Sequence, residues 1–231
     1  MESIKKNTVS AKGQLEHNEN ITYVNPNGCG MRVMFVGNSI TRHGIKEDIG
    51  WHIDCGMAAS CLEHDYVHVM IEKLNQTNSD TAYCICQCAD WEREYKNGEA
   101  VLQQYQEARD FEADIIIMRI IENCPWDGFD GAAFKQEYDR LILYLNKTGK
   151  AKIILTTGFW HHVGDEMIKE YAAEKKYPLV ELGDLGDSDA YKAIGLFEHS
   201  GVANHPNDLG MKEIARRILA HISLNHINSI L

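Results

Sequence analysis

The stretch Val33-Met34-Phe35-Val36-Gly37-Asn38-Ser39-Ile40-Thr41 decides how this chain is expected to fold. It is an apolar run that ends in a glycine, a small polar residue and a hydroxyl. Such a pattern predicts a buried strand that presents a polar side chain at its carboxyl end. Ser39 is therefore a candidate nucleophile, although a serine in this position also suits the N-cap of a following helix.

Further apolar runs follow this strand and alternate with amphipathic stretches. The five predicted strands cover residues 32–37, 82–88, 115–121, 152–157 and 179–182. Between them, apolar residues three and four apart predict helices, for example over 101–108 and 134–145. This alternation predicts right-handed crossovers and a parallel sheet covered by helices on both sides, which is an α/β fold of three layers.

Length and composition limit the classes of protein that fit. A chain of 231 residues suits one α/β domain, expected over 31–231, with the polar, weakly periodic residues 1–30 as an N-terminal arm. The 34 acidic and 23 basic residues give a net charge of -11, which argues against nucleic acid as a partner. No apolar stretch predicts a membrane span or a secretion signal, so we expect a soluble protein.

The cysteines indicate a compartment. The chain has 7 cysteines, and Cys84, Cys86 and Cys88 alternate along one predicted strand, so their side chains share a face without suitable disulfide geometry. Reduced thiols predict a cytoplasmic protein.

A second polar segment lies near the other end of the chain, at Asn204-His205-Pro206-Asn207-Asp208-Leu209-Gly210-Met211. Its imidazole comes just ahead of a predicted helix, although it could also be an exposed loop residue. Ser39 follows the first predicted strand, Asn123 follows the third, and His205 comes after the fifth. Because the carboxyl ends of parallel strands meet at one edge, we expect these three side chains to converge there.

Converging hydroxyl, imidazole and amide groups suit ester hydrolysis. A serine needs a base to take its proton, and neutral His205 can accept that proton and return it to the leaving alcohol. The backbone N–H of Ser39 and the side-chain amide of Asn123 would donate to the oxyanion. These residues predict a serine esterase that acts on a small-molecule ester without a cofactor.

These segments resemble the sequence blocks of the SGNH or GDSL hydrolases. Gly37-Asn38-Ser39 is similar to the first block, usually Gly-Asp-Ser, whereas Asn123 resembles the third-block asparagine and His205 the fifth-block histidine. The resemblance spans about residues 32–219. It implies a flavodoxin-like fold and metal-free hydrolysis of carboxylic esters, often acyl or acetyl groups on carbohydrates or lipids.

The chain also departs from that pattern. Val202 stands where the family has an aspartate, so a backbone carbonyl, Glu198 or no third group at all would accompany the imidazole. The second-block glycine is missing, which leaves the N–H of Ala89 as the other oxyanion donor. Asn38 replaces the first-block aspartate, and we expect a structural role for it with little effect on the chemistry.

Two other functions remain open from the sequence. One is a flavodoxin-type module in which residues 37–41 hold the phosphate of a nucleotide or flavin, although this gives His205 no role. The other is a catalytically inactive SGNH domain, because Val202 cannot orient an imidazole. No metal is expected, since the scattered histidines and acids match no ligand pattern. Three tryptophans near strand ends favour a carbohydrate-like ester: Trp51, Trp126 and Trp160.

Overall fold

The computed structural model describes residues 19–222 and contains one six-stranded sheet. The strands are β1 Ile21–Val24, β2 Arg32–Gly37, β3 Ala82–Gln87, β4 Ile115–Arg119, β5 Lys152–Thr156 and β6 Leu179–Val180. Their order across the sheet is β1-β3-β2-β4-β5-β6. The strand β1 is antiparallel to β3, and the other neighbours are parallel.

The predicted three-layer α/β fold is confirmed, with one strand more than the sequence indicated. The strand β1 lies in the segment interpreted as an arm, where it pairs with β3 and buries Ile21. Four residues between polar neighbours give too short an alternation to identify a strand, so its partner decides its structure. The five parallel strands have the flavodoxin-like order. The chain adds β3 on one side of β2 and then β4, β5 and β6 on the other, so the strand order reverses between β2 and β4.

Helices cover both faces of the sheet. They are α1 Tyr66–Thr77, α2 Ala89–Arg93, α3 Gly98–Val101, α4 Gln106–Asp110, α5 Gly131–Leu145, α6 Asp165–Lys175, α7 Gly183–Gly186, α8 Ser200–Ala203 and α9 Asp208–Leu219. The apolar faces of α5 and α6 pack on one side of the sheet, and those of α1 and α9 on the other. The single helix expected over 101–108 is instead α3, a 3-10 turn and α4.

A tight turn directly after β2 places the hydroxyl of Ser39 at the carboxyl edge. The N–H groups of Thr41 and Arg42 donate to the carbonyl of Asn38, at 2.9 and 3.0 Å. Gly37 is needed here because a Cβ atom would lie 1.7 Å from Oγ1 of Thr41. That hydroxyl is fixed in turn by a 2.8 Å hydrogen bond with the Tyr66 hydroxyl on α1. The turn is therefore held in place by a contact with helix α1.

The helices between residues 19 and 222 are all too short or too polar to cross a membrane.

Candidate active site

Ser39 and His205 lie in contact at the carboxyl edge of the sheet. The Oγ atom of Ser39 is 2.8 Å from Nε2 of His205, although 166 positions separate the two residues. Ser39 comes from the turn after β2, and His205 from the loop between α8 and α9. The crossovers of the fold thus bring the two predicted residues within hydrogen-bond distance.

A backbone carbonyl holds the other nitrogen of the His205 ring. Nδ1 lies 2.7 Å from the carbonyl oxygen of Gly201, in the short helix α8. Because a carbonyl oxygen can only accept, Nδ1 carries the hydrogen and Nε2 presents its lone pair to the serine hydroxyl. The Trp160 ring packs nearly perpendicular to the imidazole, with the ring centroids 5.0 Å apart. The ring therefore has the tautomer that a general base requires.

The imidazole is neutral at physiological pH. Burial, with smaller contributions from Arg119 and His43, lowers the pKa of His205 to about 4 in spite of the raising effects of the Gly201 carbonyl and Glu122. A protonated ring could not accept the serine proton. The low pKa therefore leaves a lone pair on Nε2 over almost the whole physiological range, as a general base would need.

Neither the residue at the position of the family's aspartate, Val202, nor the candidate acid Glu198 holds the imidazole. Val202 is 1% exposed and packs in the apolar core on the α1 and α9 side of the sheet. Glu198 is exposed at the surface, and the ring nitrogen it was expected to reach is bonded to Gly201 instead. Of the three alternatives left open by the sequence, the geometry matches the one in which a backbone carbonyl, that of Gly201, holds the imidazole.

The three predicted oxyanion donors differ in their hydrogen bonds. The amide nitrogen Nδ2 of Asn123 donates to Oε2 of Glu92 at 2.6 Å, which leaves its second hydrogen available. The N–H of Ala89 is engaged by Oε1 of Gln87 at 2.9 Å. Within residues 19–222, the N–H of Ser39 donates no hydrogen bond. Ser39 and Asn123 thus have free donors, whereas Ala89 does not.

A buried polar network lies beneath Ser39. Asn38 donates from Nδ2 to Oε1 of Glu92 at 3.0 Å and to Oε2 of Glu122 at 2.6 Å, and its Oδ1 accepts from Arg119. Arg119 also pairs with Glu122 at 2.6 Å. Both hydrogens of the Asn38 amide are therefore committed to carboxylates. This fixes which way the amide points, because a carboxylate can only accept.

The two glutamates of this network have opposite pKa shifts. Burial raises the pKa of Glu92 to about 7, and the neighbouring charge of Glu122 raises it too. Burial alone would also raise the pKa of Glu122, but the Arg119 guanidinium and hydrogen-bond donors lower it overall. Glu122 is therefore the ionised partner of Arg119, and Glu92 is the group that titrates near neutrality.

Sequence reasoning missed the charged members of this network. The guanidinium of Arg119 is fully buried although it ends an otherwise apolar strand. A charged residue at the carboxyl end of a buried strand was the available signal, since such residues are almost never buried unless they are paired. Glu92 gave no comparable signal, because it lies in the short helix α2 among exposed charged residues.

A second serine and histidine meet on the surface, beside α9. The carboxylate of Asp208 accepts from the hydroxyl of Ser60 at 2.6 Å and lies 2.9 Å from Nδ1 of His64. The same Nδ1 atom is 2.8 Å from the Ser60 hydroxyl. A base relay needs the serine and the acid on opposite ring nitrogens, so this cluster has the residues of a triad without its connectivity.

The three tryptophans expected to favour a sugar lie in different environments, and the histidines of residues 19–222 form no group of metal ligands. Among residues 19–222, no three His, Cys, Asp or Glu side chains are grouped as a metal would require. Of the three tryptophans expected to favour a sugar, Trp51 is buried, with 1% exposed, and its ring packs near Phe197. Trp126 is 57% exposed, and Trp160 lines the ring of His205. The Trp51 expectation is wrong because the loop over residues 43–55 encloses that ring.

Comparison with known proteins identifies the fold through structure alone, since neither a family model nor a curated protein sequence matches the chain. A protein from Parabacteroides merdae named as a GDSL-like lipase shares 13% identity, with a TM-score of 0.56, over 83% of this chain and 94% of that one. A two-domain esterase active on acetylated mannans, co-crystallised with mannopentaose, has 15% identity and a TM-score of 0.55 over 82% of this chain.

A family two carbohydrate esterase from Cellvibrio japonicus is similar over 82% of this chain and 59% of its own, with 16% identity and a TM-score of 0.50. The chain spans about half of the two-domain mannan esterase, 48% of its length. These likenesses define the class: the chain has the three-layer fold of GDSL-type hydrolases. The Ser39 and His205 pair lies at the carboxyl edge of that fold.

Proposed function

We propose that this protein is a serine hydrolase of carboxylic esters, with Ser39 as nucleophile and His205 as general base. The observation that carries the proposal is the hydrogen-bond chain from the Ser39 hydroxyl through His205 to the Gly201 carbonyl. That chain leaves Nε2 free to take the serine proton, which is the requirement for activating a hydroxyl at neutral pH.

The reaction proceeds in two halves. Ser39 Oγ attacks the ester carbonyl while its proton moves to Nε2 of His205, and the collapsing intermediate expels the alcohol with that proton. Water then attacks the acyl-serine with the same base, which releases the acid and restores the serine. The N–H of Ser39 and the free amide hydrogen of Asn123 donate to the oxyanion in both halves.

The acyl group is small, and an acetylated carbohydrate is the substrate class we favour. The neighbours of the same fold include esterases of acetylated mannans, which gives this class its support. The exposed ring of Trp126 offers an aromatic surface of the kind that stacks on a sugar.

The test compares two serines in the same chain. Hydrolysis of p-nitrophenyl acetate and of an acetylated mannan oligosaccharide is measured for the wild type, Ser39→Ala and Ser60→Ala. We expect Ser39→Ala to reduce kcat by at least about 10³-fold, and Ser60→Ala to retain wild-type turnover. Retained turnover in folded Ser39→Ala contradicts the proposal, and a wild type that cleaves neither ester contradicts the acetyl-ester substrate class.

A further inference from the structure

The carboxylate of Glu92 accepts hydrogen bonds from the segments that carry Asn38 and Asn123. We call this part of the site the oxyanion side, because Asn123 is the proposed side-chain donor to the oxyanion. Its Oε1 accepts from the N–H of Ile121 at 2.6 Å and from Asn38 at 3.0 Å. Its Oε2 accepts from Nδ2 of Asn123 at 2.6 Å. The residue is fully buried. One side chain from α2 therefore ties the turn after β2 to the segment after β4.

We propose that Glu92 is a positioning residue that orients the Asn123 side-chain amide as a donor to the oxyanion. The inference rests on the function proposed for Ser39 and His205. A carboxylate can only accept, so the nitrogen of the Asn123 amide must face Glu92, and one of its two hydrogens is held there. Its other hydrogen is then fixed in direction, whereas a freely rotating amide would present its oxygen equally well.

This arrangement depends on the charge of Glu92. A protonated carboxyl can donate as well as accept, so it no longer determines which end of the Asn123 amide faces it. The titratable and charged groups around Glu92 are Arg119 at the end of β4, Glu122 and Cys124 after β4, Cys88 before α2, and Tyr138 on α5. The pKa of Glu92 is raised to about 7, mainly by burial and then by Glu122.

The pH profile separates this role from that of the base. Because the pKa of His205 is lowered to about 4, chiefly by burial, the base alone would keep activity nearly constant until the pH comes within about one unit of that value. Control of Asn123 by ionised Glu92 predicts that kcat/KM for p-nitrophenyl acetate falls already below about pH 7. We expect Glu92→Gln to have reduced kcat at every pH and to lose that step, because an amide at position 92 resembles the protonated acid.

Two matched variants sharpen the experiment. Glu137→Gln removes another buried glutamate, one that pairs with Arg140 on α5, and should leave the profile unchanged. Asn123→Ala should lower kcat by about 10²-fold. Adding Glu92→Gln to that variant should cause no further decrease in kcat. Near-ultraviolet circular dichroism and chemical denaturation establish that each variant is folded.

The outcomes distinguish this inference from the function on which it rests. Loss of the step near pH 7 in Glu92→Gln, without a matching change in KM, supports the positioning role. A wild-type kcat/KM that stays constant from pH 8 to 5 overturns the positioning role without any variant. The role is also overturned if the reduction in kcat of the double variant equals the product of the reductions in Glu92→Gln and Asn123→Ala. Full turnover in Ser39→Ala overturns the proposed function and this inference together.

Discussion

The two sides of Ser39 are built from different interactions. On the base side, His205 is held by one neutral backbone carbonyl, that of Gly201. On the oxyanion side, Arg119, Glu92 and Glu122 form a buried network with the amide of Asn38. In the proposed reaction, the side that gains a positive charge during attack therefore has no carboxylate partner, whereas the side that stabilises a negative oxygen rests on a network of buried charged groups.

This difference has a physical consequence for each side. A neutral imidazole is inexpensive to bury, and a carbonyl is enough to select its tautomer, but a carbonyl stabilises the imidazolium less than a carboxylate does. The charged network is costly to desolvate, and its members tolerate burial only because nearly every donor and acceptor is paired. Tolerance to substitution should therefore differ between the two sides.

The largest effect is expected on the base side, from His205→Ala. Removing the imidazole leaves the Ser39 hydroxyl without a proton acceptor, so kcat should fall by about 10⁴-fold or more, with little change in the free energy of unfolding. Steady-state hydrolysis of p-nitrophenyl acetate measures the first quantity, and urea denaturation measures the second.

The surface histidine supplies the matched control for that variant. His64→Ala removes an imidazole that also contacts a serine and an aspartate, yet it lies outside the proposed machinery. We expect wild-type kcat from it. Comparable losses in the two variants would show that proximity of a histidine to a serine does not distinguish the two clusters.

On the oxyanion side, Asn38→Asp should reduce stability as well as activity. The change removes both donors from Asn38 to Glu92 and Glu122, and it adds a third carboxylate near a single guanidinium. We expect a loss of about 4 kcal/mol in the free energy of unfolding, the size seen when a buried charge loses its partner. Denaturant titration at pH 8 measures it.

A second substitution makes this prediction specific. Combining Asn38→Asp with Glu92→Gln restores the number of carboxylates and supplies an amide, so part of the lost stability should return. An Asn38→Asp protein as stable as the wild type would instead show that the network tolerates a third carboxylate. The network also gives a reason why position 38 is asparagine rather than the aspartate of the family pattern. An aspartate there would face two glutamates with one guanidinium beside them.

Val202→Asp should destabilise the protein without improving the base. From the family pattern, an acid at this position would be expected to support His205. The side chain of Val202 lies in the apolar core, however, so a carboxylate there would be buried without a partner. We expect a loss of about 3 kcal/mol, smaller at acid pH because burial raises the pKa of such a carboxyl and protonation removes the charge. Faster ester hydrolysis by Val202→Asp would show that the loop can rearrange.

The five parallel strands and the meeting of Ser39 with His205 could be predicted from the sequence for the same reason. Apolar runs that end in polar residues mark strand ends, and parallel strands bring those ends together, so the meeting of Ser39 and His205 follows from topology. The roles of these residues stay predictions until the variants are measured.

The sequence could not predict what surrounds that pair. The Gly201 carbonyl belongs to the backbone and leaves no mark in the residue types, whereas the partners of Glu92 are 29 to 54 positions away in the chain. The strand β1 was missed because its pairing with β3 joins residues that are even further apart in the chain. Each of these features depends on tertiary contacts rather than on a local pattern.

The smallest effect is expected from freeing the third predicted donor of the oxyanion side. In Gln87→Ala the N–H of Ala89 loses the side-chain oxygen that now accepts from it, at 2.9 Å. That N–H becomes available to the substrate oxygen, and we expect kcat to rise by a few-fold, well below the effect of a fully preorganised donor. Gln87→Glu is the matched control, since it keeps an acceptor oxygen and should leave kcat unchanged. A decrease in kcat for Gln87→Ala would mean that Gln87 itself supports the site, and the difference between the two sides would then extend to β3.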